Sequence, residues 1–305
     1  MRKIAVIGLG NVGTTVAHDL LLRGLVDELV LIDSNEKKAQ AEYFDFSDSF
    51  ARIPNNAVIK LNDYGELKDA DIVITSFGDV AATAKTGDRF AELPINLKNA
   101  ETVGQKIKAS GFDGILINIS NPCDAIVNRL QGVTGLPHNR IFGTGTFLDT
   151  ARMQRAVGHV FGEAPQNVSG FVLGEHGNSQ FTAWSTVKID GQPLTKLADD
   201  GKANLDELDK TARDGAFVVI EGKGYTCFAI AACAVEMVQA VFADLHQFMP
   251  ASVFLEQYDC YIGYPAVIGK DGVERIQPVE LTADEQSKLD QSAQTIKEKA
   301  AQGKN

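Results

Sequence analysis

His176 stands in Gly174-Glu175-His176-Gly177-Asn178, directly after an apolar stretch with the pattern of a buried strand. Imidazole can give or take a proton near neutral pH, and the flanking glycines let another group approach the ring closely. The plain alternative is a structural histidine satisfied by its neighbours. Asp149 and Arg152 are i, i+3 neighbours, so they share one helix face. Alone they would read as a surface ion pair. Beside an imidazole they offer two further functions. A buried carboxylate orients the ring and favours its protonated form. A guanidinium fork grips a carboxylate through two parallel hydrogen bonds. Arg89 follows the polar, glycine-bearing stretch 78–88, where a closing lid fits as well as an ordinary charge at a helix start. Ser120-Asn121-Pro122 closes another apolar run, either as a simple turn or at a ligand-binding strand end. No H-x-x-x-H, Cys/His cluster or G-x-S-x-G is present, so metal-site and serine-hydrolase chemistry have no motif support. Of the other histidines, His18 and His159 fall in helical stretches, His138 in a polar turn and His246 at the end of a long helix.

A second constellation lies at the N-terminus. Gly8-Leu9-Gly10-Asn11-Val12-Gly13 is G-x-G-x-x-G between a strand and a helix. The first glycine permits the tight turn, the second admits a pyrophosphate to the backbone, and the third lets helix and strand pack closely. The helix N-terminus adds free N–H groups and partial positive charge. Asp33 ends the second strand about twenty residues beyond Gly13, the spacing of an acid that bonds ribose hydroxyls. Its carboxylate would repel a 2′-phosphate, and Ser34, Asn35 and Glu36 supply no arginine to reverse that. NAD is therefore expected rather than NADP. Ala84-Lys85-Thr86 resembles the end of a P-loop, but its upstream glycine spacing is wrong.

The elements that must carry these groups alternate in the first half. Strands are expected at 4–7, 28–32, 58–61, 71–76 and 114–119, with helices at 12–23, 37–50 and 90–109. Strands separated by helices imply parallel pairing and a doubly wound sheet. Beyond about residue 143 the pattern changes. A helix at 146–161 precedes strands at 168–173 and 181–189, and helices at 205–221 and 225–246. After Pro250 the chain turns strand-like, with an Asp271-Gly272 hairpin signal. Thr282-Ala283-Asp284-Glu285 fits a capping box opening a last helix. The fold class is α/β: a Rossmann-type doubly wound parallel sheet over 1–143, then an α+β catalytic domain over 144–305.

At 305 residues the chain is long enough for two domains with a buried core. Apolar residues make up 44% and charged residues 23%, which excludes disordered and collagen-like classes. A net charge of −11 argues against nucleic-acid or anionic-membrane binding, which needs clustered cations. No apolar run reaches a membrane span. Met1-Arg2-Lys3 before an apolar stretch has the look of a signal peptide, but Gly8, Gly10 and Asn11 interrupt it. The four cysteines form no C-x-x-C pair and suit reduced thiols. A cytoplasmic enzyme is expected.

Taken in order, Gly8–Gly13, Asp33, Arg89 with Asn96, Ser120-Asn121-Pro122, residues 143–152, Gly174-Glu175-His176-Gly177 and Gly224-Tyr225-Thr226 make the chain resemble the L-lactate/malate dehydrogenase family over nearly its whole length. The resemblance implies NAD-dependent, reversible oxidation of L-2-hydroxy acids to 2-oxo acids. It assigns proton exchange to His176, its partner role to Asp149, carbonyl polarisation to Arg89 and carboxylate binding to Arg152. Asn121 would contact substrate and nicotinamide, Thr226 would line the pocket, and Asn96 and Ile119 would join Gly8, Gly10, Asn11, Val12, Gly13 and Asp33 around the cofactor.

Malate enzymes of the family generally place an arginine in the lid and lactate enzymes a glutamine. Residues 79–88 contain neither, and Ala81–Ala84 leave space. A second carboxylate buried there would lack a partner, whereas each extra buried methylene gains about 0.8 kcal/mol. The expectation is therefore a medium-chain or branched aliphatic substrate, with resemblance nearest to members acting on L-2-hydroxyisocaproate. Lactate comes second and malate third. Lys85 is the one cation in the lid that could favour a dicarboxylate. Gln154 and Ser169 stand where many bacterial relatives carry the Arg and His that bind fructose 1,6-bisphosphate, so no such activation is expected. The family forms dimers and tetramers, so a homo-oligomer is expected, a tetramer first; with only three residues before the first strand, no N-terminal arm is expected. Two other classes stay in view: a non-catalytic NAD-binding protein, and an NAD-assisted glycosidase using Cys123 at a metal.

Overall fold

A computed structural model describes residues 1–78 and 92–302. The expected lid and Arg89 lie outside the described residues.

The first half is built on short strands, most of them buried on both faces, as a sheet covered by helices requires, with Val58–Leu61 a more exposed edge. β1 (Lys3–Ile7) is buried throughout and runs into α1 (Asn11–Leu22). β2 (Glu28–Ile32), α2 (Glu36–Ser49), β3 (Val58–Leu61) and β4 (Ile72–Thr75) follow. After the undescribed stretch come α3 (Leu93–Ser110), β5 (Ile115–Asn118), α4 (Cys123–Thr134) and β6 (Ile141–Gly143). These six strands pair in parallel in the order β3-β2-β1-β4-β5-β6. The order reverses beside β1, and ligands bind at such a crevice beyond the strands' carboxyl ends.

α5 (Phe147–Phe161) opens the second half. β7 (Val168–Leu173) and β8 (Phe181–Ile189) pair antiparallel, and β9 (Gln192–Pro193) completes a three-stranded sheet. α6 (Leu194–Asp199), α7 (Leu205–Lys223) and α8 (Phe228–Phe242) precede the antiparallel β10 (Gln247–Leu255), β11 (Cys260–Gly269) and β12 (Gly272–Ile276). β10 pairs with β6 at Ser252 opposite Gly143, so one nine-stranded sheet runs through both halves. α9 (Ala283–Gln302) closes the chain. Its capping box is reciprocal: Glu285 N–H donates to Thr282 Oγ1 at 3.2 Å, and Thr282 N–H to Glu285 Oε2 at 2.9 Å.

The structure corrects the expected elements in three places, the first being β9 and α6, which fill a stretch for which the sequence reading has no element. The sequence reading has no element between Pro122 and Gly143, where α4 and β6 lie. The expected 225–246 helix is α8 alone, ending at Phe242. His246 sits beyond it at φ +48°, not on a helix end, its Nδ1 2.5 Å from Glu274 Oε2. That hydrogen bond first, then the Glu274 charge, raises the His246 pKa above its ordinary value. Among the described residues no single helix is long and apolar enough to cross a membrane.

Candidate active site

The glycine signature divides its work as the spacing predicts. Gly8 has φ +96°, and a Cβ there would lie 2.6 Å from the Ser76 carbonyl carbon. A Cβ on Gly13 would lie 1.9 Å from Gly8 O, so only glycine lets α1 approach β1. A Cβ on Gly10 would meet no atom of the described residues within 4 Å. Its missing side chain therefore serves no packing need among the described residues. Gly8, Gly10 and Asp33 line a cavity of about 740 Å³, together with Tyr64, Gly78 and Lys106. One Asp33 oxygen accepts Leu9 N–H at 2.7 Å and the other Asn35 N–H at 2.8 Å. The carboxylate is thus fixed at the cavity rim. Burial first, then the Asp33 charge, pushes the Tyr64 hydroxyl up to about 12. An open glycine cradle, a helix N-terminus and a fixed acid suit a dinucleotide with free ribose hydroxyls. Asn11 is exposed, Val12 half-buried and Ile119 buried at the end of β5.

Asn96 is fully buried on α3. Its Nδ2 donates to Glu92 Oε2 at 3.0 Å and to the Asn121 carbonyl at 2.7 Å, while its buried Oδ1 has no partner among the described residues. Such an acceptor is costly unless something satisfies it. Asn121 itself is exposed at the carboxyl end of the sheet.

The catalytic candidates converge on Asp149, whose side chain is only 2% exposed. Asp149 Oδ2 lies 2.5 Å from His176 Nδ1, and Oδ1 accepts from Arg152 Nη1 at 2.9 Å. One carboxylate therefore holds the imidazole and the guanidinium together. An Nδ1–H donated to Asp149 leaves Nε2 as the nitrogen that exchanges a proton. Asp149 and Arg152 border a cavity of about 140 Å³ with Gly177, Gln180, Thr182 and Ala216. Thr226 lies between α7 and α8, half-buried, with its buried Oγ1 unpartnered among the described residues, and does not line this cavity. Gln154 is taken up by a 2.7 Å bond to the Val168 carbonyl, and Ser169 is exposed.

Cys123 faces the interior: Gly145 N–H donates to its Sγ at 3.4 Å, and burial pushes the thiol up to about 12. The glycosidase alternative thus loses its one candidate ligand. His138 stacks on Phe254 and bonds Tyr261, as packing histidines do. Sequence reasoning passed over Asp124. It is buried in the first turn of α4 and accepts the His176 backbone N–H at 2.9 Å. An acid in a first helical turn ordinarily reads as solvated, and nothing local marks a partner in a loop so distant along the chain.

A Rossmann half carrying a dinucleotide cradle, joined to a half that presents His, Asp and Arg, defines an NAD-dependent 2-hydroxyacid oxidoreductase. Residues 2–143 match the lactate/malate dehydrogenase NAD binding domain, and residues 146–305 match its alpha/beta C-terminal domain. The chain belongs to the lactate/malate dehydrogenase family. It is 35% identical to L-lactate dehydrogenase 1 of Bifidobacterium longum, across 97% of this chain and 96% of the relative. It is also 35% identical to L-lactate dehydrogenase of Bacillus caldolyticus, across 97% and 95%. Among solved structures, a lactate dehydrogenase from a Medee basin deep-sea metagenome library superposes with TM-score 0.93 at 32% identity, over the whole of both chains. The minor L-lactate dehydrogenase of Enterococcus mundtii gives TM-score 0.93 at 31% identity, over 99% and 98%.

Proposed function

We propose that the protein interconverts L-lactate and pyruvate. The observation that carries this reading is Asp149 gripping His176 and Arg152 at once; the choice of lactate is supported by the named relatives. NAD(H), when bound, exchanges a hydride with the substrate's C2. Gly8, Gly10, Gly13 and Asp33 would hold it, with Asn96 offering its open acceptor. Arg152 binds the substrate carboxylate through its fork. His176 gives a proton to the carbonyl oxygen during reduction and takes it back during oxidation, with Asp149 balancing the imidazolium charge. The resemblance adds Arg89 as the group that polarises the carbonyl, Asn121 as a contact to substrate and nicotinamide, and Thr226 as a pocket wall. The same reading divides the chain into a nucleotide domain, 1–143, and a catalytic domain, 144–305, and makes the protein a homo-oligomer. The exposed apolar side chains Phe217, Val218, Ile220 and Phe228 support association.

A medium-chain aliphatic substrate is the second reading, favoured by the small residues Ala81–Ala84 and the lack of Arg or Gln in 79–88. Initial rates of NADH oxidation with pyruvate, 2-oxoisocaproate and oxaloacetate separate these readings. The highest kcat/KM is expected with pyruvate, and His176→Ala is expected to lose about 10²–10⁴-fold in kcat. A higher value for 2-oxoisocaproate would transfer the assignment to the second reading. No turnover of any 2-oxo acid would overturn both.

A further inference from the structure

Three successive backbone N–H groups of the loop carrying His176 are each held by a different element. Gly174 N–H donates to Gly263 O on β11 at 3.0 Å. Glu175 N–H donates to the fully buried Ser292 hydroxyl on α9 at 2.7 Å. His176 N–H donates to Asp124 Oδ2 on α4 at 2.9 Å. The third anchor differs in kind. Its acceptor is a carboxylate, 2% exposed, whose other oxygen accepts from Ser252 Oγ at 2.6 Å. Ser252 is fully buried on β10, where the parallel and antiparallel parts of the sheet meet. Asp124 also stands only three residues beyond Asn121 in the chain. The same carboxylate therefore reaches the imidazole loop, the strand junction and the segment that carries Asn121.

Resting on the dehydrogenase reading, we propose that Asp124 is a positioning residue: its carboxylate fixes the His176 backbone relative to the Asn121 segment and adds a negative charge beside the imidazole. A buried carboxylate that satisfies two donors sets a geometry more sharply than a solvated one. The titratable groups around it are His176 and Glu175 on the loop, Cys123 on its own helix and Cys260 on β11. Burial pushes both thiols up to about 12, so neither ionises in the working range. Burial also raises Asp124 itself, to about 6, against the lowering effect of Ser252, the His176 N–H and the His176 charge. Above that value the carboxylate is ionised and carries its charge toward the His176 loop.

Three variants of the full-length enzyme test this: Asp124→Ala, Asp124→Asn and Ser252→Ala. Each is assayed for pyruvate kcat and KM, for NADH affinity by fluorescence and for the pH profile of kcat/KM. Asp124→Ala is expected to lower kcat per NADH-binding site by about 10–100-fold, the scale of an ångström misplacement, with NADH affinity unchanged within about twofold. In Asp124→Asn the amide oxygen still accepts from His176 N–H and the NH₂ group donates to Ser252 Oγ. It should recover kcat to within about threefold, while the alkaline limb of kcat/KM moves to lower pH because the charge is gone. Ser252→Ala should lower kcat by about three- to tenfold through the loosened carboxylate. Asp124→Ala that binds NADH normally and keeps native kcat and pH profile would overturn the proposal. If that variant does not fold, native kcat in Ser252→Ala together with an unmoved alkaline limb in Asp124→Asn would do the same. Absence of pyruvate turnover in the native enzyme would instead defeat the dehydrogenase reading.

Discussion

Asp149 is asked to do two things that a neutral side chain could do only in part. It accepts from the imidazole at 2.5 Å and from the guanidinium at 2.9 Å, and it lies almost wholly out of water. Asp149→Asn keeps the size but presents one oxygen and one NH₂ group to two donors. Either the ring adopts the wrong tautomer or the guanidinium loses its hold. The expected loss is about 10²–10⁴-fold in kcat, as when a triad carboxylate becomes an amide, with melting temperature and NADH affinity close to native. Steady-state kinetics beside a thermal melt check this; near-native kcat would mean that Asp149 does not orient the base. The Asp149–Arg152 pairing was legible in the sequence because i, i+3 spacing puts both groups on one helix face, whereas the joining of His176 to them was what the family resemblance implied. Asp124 was not, because its partners are 52 and 128 residues away and only the folded chain joins them.

Most strands were legible because they are short apolar runs with no competing pattern, and β2, β3, β7 and β8 match expectation residue for residue. α4 was missed because it opens at Pro122 with no side-chain cap, and β6 because three residues carry no periodicity. Arg2 and Lys3, which give the N-terminus the look of a leader, are structural. Arg2 pairs with Asp27, and the buried Lys3 pairs with Glu28, Glu66 and Asp69. The β1–α1 turn was legible down to the separate tasks of its glycines, and those tasks can be separated by experiment. Gly13→Ala puts a methyl group against the Gly8 carbonyl, so about 1–3 kcal/mol of stability is expected to be lost. Gly10→Ala meets no atom of the described residues, so denaturant midpoints should stay near native while NADH affinity falls about tenfold or more, about 1.4 kcal/mol. Equal losses of stability in the two variants would show that Gly10 is kept for folding rather than for the ligand.

The nine-stranded sheet crosses from β6 to β10, and α8 packs on α1, so the two halves are stitched at sheet and helix level. One hydrophobic cluster joins Ile4, Val16, Leu20 and Leu31 of the first half to Ala231, Val238, Met249, Ile262 and Leu289 of the second. Neither half can open without exposing apolar surface of the other, and each buried side chain of this size is worth about 1.5–3 kcal/mol. Cooperative unfolding of the whole chain follows, even though the glycine cradle lies in one half and the His176–Asp149 pair in the other. The single tryptophan, Trp184, sits on β8 of the second half, far in sequence from the glycine cradle. Its emission and the loss of NADH binding therefore report opposite halves. In urea the two signals are expected to share one midpoint. NADH at about 100 times its Kd should raise that midpoint for both probes by the equivalent of about 2.7 kcal/mol. A Trp184 transition that comes first, leaving NADH still bound and not responding to added NADH, would mean that the shared cluster does not couple the halves. The catalytic half would then reach the cofactor as a separate body.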